Sequence, residues 1–252
     1  RSAVPADVAV TVKHRLGVDD HDSWDALVSF VRTVSAPPAS IRHFVVHARK
    51  AILGLSTSDN RSVPPLRRDW VGSLAAEFPR LSFELNGALL TLQEAAAALK
   101  QSHELQPNTP VRACMIGRAA FHDPWQFGDC DRRFFAVPNP GLSRREVIER
   151  YAAYAEALWA EHSARLAAEA TREMDASGEK ALPHAVRRRL QAPLRELRQR
   201  LYQPLMHLCV DVPGGTEYQK RLLRAEEKHT GVAKAAAAAL RALPDEVADA
   251  RQ

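Results

Sequence analysis

Polar and glycine-containing motifs follow four short β-branched runs in the first half of this chain. The motifs are Val12-Lys13-His14-Arg15, Phe44-Val45-Val46-His47-Ala48-Arg49, Asn86-Gly87-Ala88 and Gly117-Arg118-Ala119. A helical pattern comes after each motif, so each one predicts the point where a strand ends and a loop begins. In a (β/α) barrel the carboxyl ends of the strands converge on one face, and that face carries the chemistry. We therefore expect the four motifs to form one site.

The last two motifs have the composition of a phosphate site. Asn86-Gly87-Ala88 and Gly117-Arg118 contain small residues, which let backbone N–H groups approach an anion. Arg118 would add a charge-assisted hydrogen bond to that anion. Barrels commonly hold a phosphate between the loops after strands seven and eight, which favours this interpretation. The alternative is that Gly87 and Gly117 only form tight turns.

Lys13 and His47 end the first two predicted strands and are candidates for contact with a ring. A cation at Lys13 would stabilise negative charge that develops on a bound ring such as a reduced flavin. The alternative for Lys13 is a salt bridge to a carboxylate inside the barrel. His47 would hydrogen-bond a cofactor ring or phosphate, or it is simply a satisfied polar group. Position alone does not decide between the two interpretations of His47.

Two groups of metal-ligand residue types are not predicted to bind a metal. His43 and His47 share a strand face, but four residues of strand separate them by about 13 Å, which is too far to chelate one ion. The stretch 19–22 contains three aspartates and a histidine. We interpret it as a solvated loop that leads into a helix, with Asp22 or Ser23 as the N-cap.

Four apolar runs alternate with helical patterns and define the predicted fold. The runs are Val8–Val12, Phe44–Val46, Leu81–Leu85 and Val111–Ile116. Their order is typical of parallel strands joined by right-handed crossovers, but a closed barrel has eight strands. The prediction is therefore an α/β fold. It consists of the C-terminal half of a TIM (β/α)8 barrel, strands five to eight, over residues 1–142, and an all-helical domain over 143–252.

The predicted helical domain begins at the capping box Ser143-x-x-Glu146. The apolar face of its first helix is predicted to comprise Val147, Tyr151, Tyr154 and Leu158. Pro193 should kink the next helix or begin a new one. Many of the chain's 35 cationic residues lie in this half, so it is a candidate for binding nucleic acid. The alternative is that the arginines only form a solvated helix face.

Composition limits the class of protein. With 252 residues and 46% hydrophobic residues, the chain has room for one barrel or two smaller domains. No apolar run approaches the roughly 20 residues that cross a bilayer, so no membrane partner is predicted. Cys114, Cys130 and Cys209 are too few for a disulfide framework, which favours a reducing compartment. We expect a cytoplasmic protein without a targeting peptide. A truncated start would leave an organellar address open.

The motifs together resemble the flavin-dependent tRNA-dihydrouridine synthases, most closely the bacterial-type A subgroup. The similarity runs from Val8 to about Phe127 and includes 10–20, 44–66 and Met115 to Trp125. It is weaker over the C-terminal helices, although 207–222 still looks similar to the helical RNA-binding module of the family. The resemblance implies a TIM barrel that binds FMN, uses NADPH as reductant and acts on tRNA.

The resemblance also implies roles for individual residues. Lys13 and His47 would contact the FMN isoalloxazine and neighbouring groups. Its phosphate would be held by Asn86, Gly87, Ala88, Gly117 and Arg118. The residues implied or predicted to contact tRNA are Ser58, Arg61, Arg187, Arg188, Lys220, Arg221 and Arg224. In the family, reduced FMN passes hydride to C6 of a uracil of the tRNA D-loop and a cysteine protonates C5, after the base has been flipped out.

This sequence departs from the family pattern at two places. A second glycine usually stands where this chain has Ala88, and a Cβ would weaken the phosphate site if that residue needs a positive φ. The catalytic cysteine of the family lies in an Asn-x-Gly-Cys-Pro loop, and this chain contains no such loop. None of its three cysteines can take that role. We therefore expect the chain to be a fragment, or an incomplete gene model, that is inactive alone.

A half barrel would leave two sheet edges and an apolar interior uncovered. We expect the isolated chain to aggregate, or to pair with the missing N-terminal half or with a second copy. Two other functions stay open. One is a non-catalytic RNA-binding remnant of the same fold. The other is a different FMN-dependent barrel oxidoreductase, which the clustered arginines disfavour.

Overall fold

The computed structural model describes residues 4–5, 7–108, 111–177 and 184–251. The chain divides into two compact units, one up to Ala119 and the other from Ala120 onward. Residues 120–142, which the sequence placed with the barrel part, therefore pack within the second unit. The functional domain boundary at residue 142 stays a prediction.

The first unit is built on a parallel four-stranded sheet in the order β1-β2-β3-β4. The strands are β1 (Val12–Arg15), β2 (His43–His47), β3 (Ser82–Asn86) and β4 (Ala113–Met115). Helices alternate with them, which confirms the α/β prediction. The predicted first strand is wrong in position, because Val12 pairs with Phe44 and the run before Val12 lies outside the ladder. Pairing with β2 decides this strand more than its own apolar character does.

Three helices connect the strands: α1 (Trp24–Ser35), α2 (Arg68–Glu77) and α3 (Leu92–Leu105). Ser23, rather than Asp22, caps α1, because its side chain accepts a hydrogen bond from the Ala26 N–H at 3.2 Å. A capping box of Thr91 and Glu94 is present at the start of α3. These helices, with the sheet, enclose a core that includes the buried side chains of Phe44, Val46, Phe83 and Leu85.

The second unit is helical, which confirms the prediction of a helical C-terminal region. It contains most of α4 (Arg118–His122), a 3₁₀ turn at Pro124–Asp129, and α5 (Cys130–Phe135). The longer helices are α6 (Arg144–Ser177), α7 (His184–His207), α8 (Gly215–Glu227) and α9 (Val232–Leu240), followed by the short α10 (Asp245–Ala248). Helix α7 continues through Pro193, so this proline does not begin a new helix.

The start of α6 agrees with its predicted capping box. The Ser143 N–H donates to Glu146 Oε2 at 2.8 Å, and the Glu146 N–H donates to Ser143 Oγ at 3.2 Å. Val147, Tyr151 and Leu158 pack against the core of this unit. Tyr154 is 58% exposed, so its predicted place on the apolar face is wrong. The searched residues contain no helix that is long and apolar enough to cross a membrane.

Candidate functional site

A cavity of about 250 Å³ lies where the four strands end. All seven residues proposed from the sequence to hold a cofactor line it: Lys13, His47, Asn86, Gly87, Ala88, Gly117 and Arg118. Arg15, Arg61 and Met115 line it as well. The structure therefore brings the four motifs together at one place, as expected for the carboxyl ends of parallel strands.

The strand register places four of the residues that line this cavity in one row across the sheet. Arg15 pairs with His47, His47 with Asn86, and Asn86 with Met115 on successive strands. Side chains alternate between the two faces of a sheet, so these four lie on the face opposite the helix-covered core residues. The apolar residues that directly precede them along the strands, such as Val46 and Leu85, are buried in that core. The alternation thus keeps the polar row free for a ligand.

The turn after β3 has an unusual backbone. Gly87 adopts a φ of 119° and Ala88 a φ of 50°. A Cβ on Gly87 would lie 3.3 Å from Leu66 Cδ1, 3.4 Å from the Ala48 backbone nitrogen and 3.5 Å from His47 Nε2. Position 87 therefore favours glycine for its backbone conformation, and a Cβ there would in addition press on the end of the Leu66 side chain. Ala88 adopts a left-handed backbone although it carries a Cβ. A positive φ is the condition under which alanine, in place of the family's usual glycine, would weaken the phosphate site.

We expect Ala88→Gly to stabilise the chain by about 0.5–1 kcal/mol, because the relief of left-handed strain outweighs the greater freedom of glycine in the unfolded chain. The measurement is urea unfolding. Ala136→Gly is the matched control, since Ala136 has a φ of 53° but ends α5 in the other unit. Both variants should gain stability, and only Ala88→Gly should also bind FMN more tightly. A loss of stability in Ala88→Gly would contradict the strain argument.

Arg68 holds the same turn from outside the cavity. Its Nη2 donates to the carbonyl oxygen of Ala88 at 3.0 Å and lies 3.4 Å from that of Gly87. The sequence does not indicate a role for Arg68, because this residue begins α2 and precedes the turn by about twenty positions. No local signal marks it. Asn86 adds a second restraint, since its Nδ2 donates to the Met115 carbonyl at 2.8 Å and ties β3 to β4.

The cavity is cationic. Lys13, Arg15, Arg61 and Arg118 line it, and none of its described lining residues is acidic. Within the described chain, no ion pair involves Lys13, so a salt bridge for this lysine is not observed. Arg15 is held in place by donating to the carbonyls of Lys50 at 2.9 Å and Asn60 at 2.7 Å. Burial, together with the nearby Arg49 and Arg61, lowers the Arg15 pKa. Such a site favours an anion.

His47 is neutral near pH 7. Burial, and then the charges of Arg15, Lys13, Arg49 and Arg118, lower its pKa to about 4. Its Nδ1 is buried and has no hydrogen-bond partner among the described atoms. This observation disfavours the alternative of a satisfied polar group, because this buried atom lacks the partner that such a group would have.

The lowered pKa predicts a pH dependence of stability. His47 is protonated near pH 6.5 in the unfolded chain, but only near pH 4 in the folded chain. The unfolded state therefore binds more protons between these values, and the stability contributed at neutral pH is lost as the pH falls from 6.5 towards 4. In His47→Gln this part of the loss should disappear from urea unfolding at several pH values. An unchanged pH profile would contradict the neutral state.

The loop after β2 borders the cavity and is held by side chains. Asn60 receives the Ile52 N–H on Oδ1 at 2.7 Å and donates from Nδ2 to the Ile52 carbonyl at 2.7 Å. Arg61, which follows, lines the cavity, and Ser58 is exposed on the same loop. Of the two predicted tRNA contacts of this loop, Arg61 therefore lies at the cavity, and Ser58 precedes it by three residues in the sequence.

The acidic stretch before α1 has structural contacts. Lys50 Nζ lies 3.1 Å from Asp22 Oδ2, and the Leu53 N–H donates to Asp19 Oδ1 at 2.9 Å. The stretch 19–22 is therefore not only a solvated loop, because two of its carboxylates connect it to the loop after β2.

None of the three thiols lines the cavity. Cys114 lies in β4, and burial raises its pKa to about 11. Cys209 is buried in the helical unit, and burial raises its pKa to about 12. Cys130 begins α5, and its pKa is also raised, mainly by burial. A raised pKa makes each thiol a weaker acid.

The predicted RNA-contacting cations of the helical unit differ in their surroundings. Lys220 and Arg224 are exposed on α8. Arg221 donates to Glu217 at 3.1 Å and to the Ala238 carbonyl at 3.2 Å, so it also joins α8 to α9. Arg188 is exposed on α7, whereas the side chain of Arg187 lies outside the described residues.

Comparison with known proteins gives consistent matches. The sequence model of the dihydrouridine synthase (Dus) family matches residues 1–200. A tRNA-dihydrouridine(20/20a) synthase of Synechocystis sp. is 42% identical over 151 residues, 60% of this chain and 42% of the relative. The protein of the same name from Pseudomonas syringae pv. tomato is 40% identical over 148 residues, 58% of this chain and 41% of the relative. The aligned part is thus less than half the length of these relatives.

Proposed function

Because the chain belongs to the dihydrouridine synthase family, we propose that it supplies the FMN-binding and tRNA-contacting parts of a tRNA-dihydrouridine synthase. The observation that carries the proposal is the cationic cavity at the strand ends, lined by every residue that the family resemblance assigns to FMN. A flavin mononucleotide combines a phosphate dianion with a flat ring. The cavity offers glycine backbone and arginine for the first, and lysine and histidine for the second.

The residues present fit this cofactor. Gly87 leaves room that a Cβ would fill, and its turn is fixed by Arg68. Gly117, where an added Cβ would meet nothing within 4 Å, leaves the backbone accessible for a phosphate beside Arg118. When bound and reduced by NADPH, FMN supplies hydride for the reduction of a uracil ring.

Each polar side chain has a defined task in this proposal. Lys13 lies next to the ring and stabilises negative charge that develops there. His47 stays neutral, so its imidazole contacts the ring without adding charge. Arg61 and Ser58 contact the RNA that brings the flipped base to the cavity. We infer a uridine of the D-loop as the target, in keeping with the names of the relatives.

Protonation of C5 is the step for which this chain offers no group. None of its three cysteines is among the residues that line the cavity, and their raised pKa values make them poor acids. We propose that the thiol comes from a segment carrying the Asn-x-Gly-Cys-Pro loop, such as the N-terminal half of the barrel. An upstream reading frame that encodes this loop would support the enzyme. A frame without it would favour the RNA-binding remnant.

The phosphate part of the proposal is tested by comparing FMN with riboflavin, which has the same ring and no phosphate. We expect the chain to bind FMN about a hundredfold more tightly in equilibrium dialysis, as charge-assisted contacts to the phosphate add nearly 3 kcal/mol. Equal affinities would mean that the glycine turn and Arg118 do not hold the phosphate.

A further inference from the structure

A cleft of about 720 Å³ lies in the helical unit, lined by residues of α6, α7 and the turn before α9. The side chains that matter are Trp159, Arg188, Gln191, Arg195, Arg198 and His229. None of its described lining residues is acidic. Its volume falls within the range of roughly 300–1,000 Å³ that is usual for small-ligand sites.

The cations of the cleft come from one face of α7. Arg188, Gln191, Arg195 and Arg198 follow each other at intervals of three, four and three residues, which places them along one stripe of the helix. The stripe therefore presents three guanidinium groups and one amide to the same cleft.

Ion pairing distinguishes these arginines from others of the same helix. Arg189 pairs with Glu173, and Arg200 pairs with Glu196. Within the described part of the chain, Arg188 and Arg195 form no ion pair, and both are exposed. Uncompensated cations that converge on one cleft favour an anionic ligand.

The cleft also contains flat surfaces. The Arg198 guanidinium carbon lies 4.8 Å from the centre of the Trp159 ring, and Arg198 Nη1 is hydrogen-bonded to His229 Nδ1. Aromatic rings and guanidinium planes are the surfaces on which unpaired RNA bases stack. The cleft thus combines phosphate-binding groups with a stacking platform.

We propose that this cleft binds an unpaired nucleotide of RNA. The base stacks against the Trp159–Arg198 pair, and Arg188 and Arg195 contact the adjacent phosphates. This inference rests on the proposed function for the kind of ligand, since tRNA contains unpaired loop nucleotides. It adds a base-stacking contact that backbone recognition by a basic helix surface does not provide.

The test measures binding of the whole chain to a fluorescently labelled single-stranded oligoribonucleotide and to an RNA duplex of equal length. We expect Trp159→Leu and Arg195→Gln each to weaken single-strand binding by about tenfold. Trp159→Leu should leave duplex binding unchanged, because paired bases have no free faces to stack. Arg200→Gln is the matched control, because Arg200 lies on the same helix outside the cleft lining. This variant is expected to bind both RNAs as tightly as the unmodified chain does.

Each outcome of this test either supports or overturns the proposed cleft. Trp159 packs against the core of the helical unit, so thermal melting must show that Trp159→Leu is folded. If it is not, Arg195→Gln at an exposed position carries the test. RNA binding that is unaffected in both variants overturns the cleft and leaves the proposed function standing. An unmodified chain that binds no RNA removes both. Uridine 5′-monophosphate that binds as tightly as the oligonucleotide would indicate a free-nucleotide site and overturn the RNA assignment.

Discussion

Gly87→Ala is expected to abolish tight FMN binding and to destabilise the first unit by about 2–3 kcal/mol. The φ of 119° at this position is one that side chains with a Cβ rarely adopt, and the new methyl group would lie within 3.5 Å of three atoms of neighbouring segments. Relief of the backbone strain at this φ moves the turn, and with it the N–H groups that we propose for the phosphate. FMN affinity should fall about a hundredfold, measured by quenching of flavin fluorescence.

Gly54→Ala is the matched control for this variant. Gly54 lies in the loop after β2, has no positive φ, and an added Cβ would meet nothing within 4 Å. It should retain both stability and FMN affinity. If Gly87→Ala binds FMN as well as Gly54→Ala does, the turn after β3 is not the phosphate site.

The double variant Lys220→Gln/Arg224→Gln is expected to weaken tRNA binding by about tenfold or more. Both cations are exposed on α8, one helical turn apart, where they are able to reach neighbouring phosphates. Each lost phosphate contact should reduce the slope of log affinity against log salt by about 1. The measurement is a filter-binding titration at several salt concentrations.

Lys100→Gln provides the control for non-specific charge loss. Lys100 is an exposed cation of α3 and is not among the residues predicted to contact RNA. It should leave the salt slope nearly unchanged. Equal effects of the α8 double variant and the Lys100 control, scaled per charge, would mean that the basic helix is only a solvated face.

Local signals were sufficient to predict most of the framework. The three later strands are predictable because apolar β-branched runs such as 44–46 are followed by turn residues, and capping boxes mark the starts of α3 and α6. The first strand was placed too early, because Lys13 and Arg15 face the ligand side of the sheet and interrupt the apolar run. Polar residues that line the cavity thus make β1 harder to recognise as a strand from the sequence.

Features that depend on several segments could not be predicted in the same way. Arg68 reaches the turn after β3 only because α2 begins beside it. The low pKa of His47 depends on cations from other segments, namely Lys13, Arg15 and Arg118. Likewise, the cleft on α7 forms because Trp159 and His229 meet its arginine stripe, and no spacing within α7 indicates either partner. Long-range packing, rather than local pattern, determines these sites.

The most direct test of the central claim is the visible absorption spectrum of the purified chain after FMN has been added and the excess removed. A retained flavin band, shifted relative to free FMN, is the predicted result, because the cavity at the strand ends is lined both by the turn that we propose for the phosphate and by the lysine and histidine that we propose for the ring. The band should be lost in Gly87→Ala and kept in Gly54→Ala. A colourless unmodified chain would contradict the claim that these residues form an FMN site.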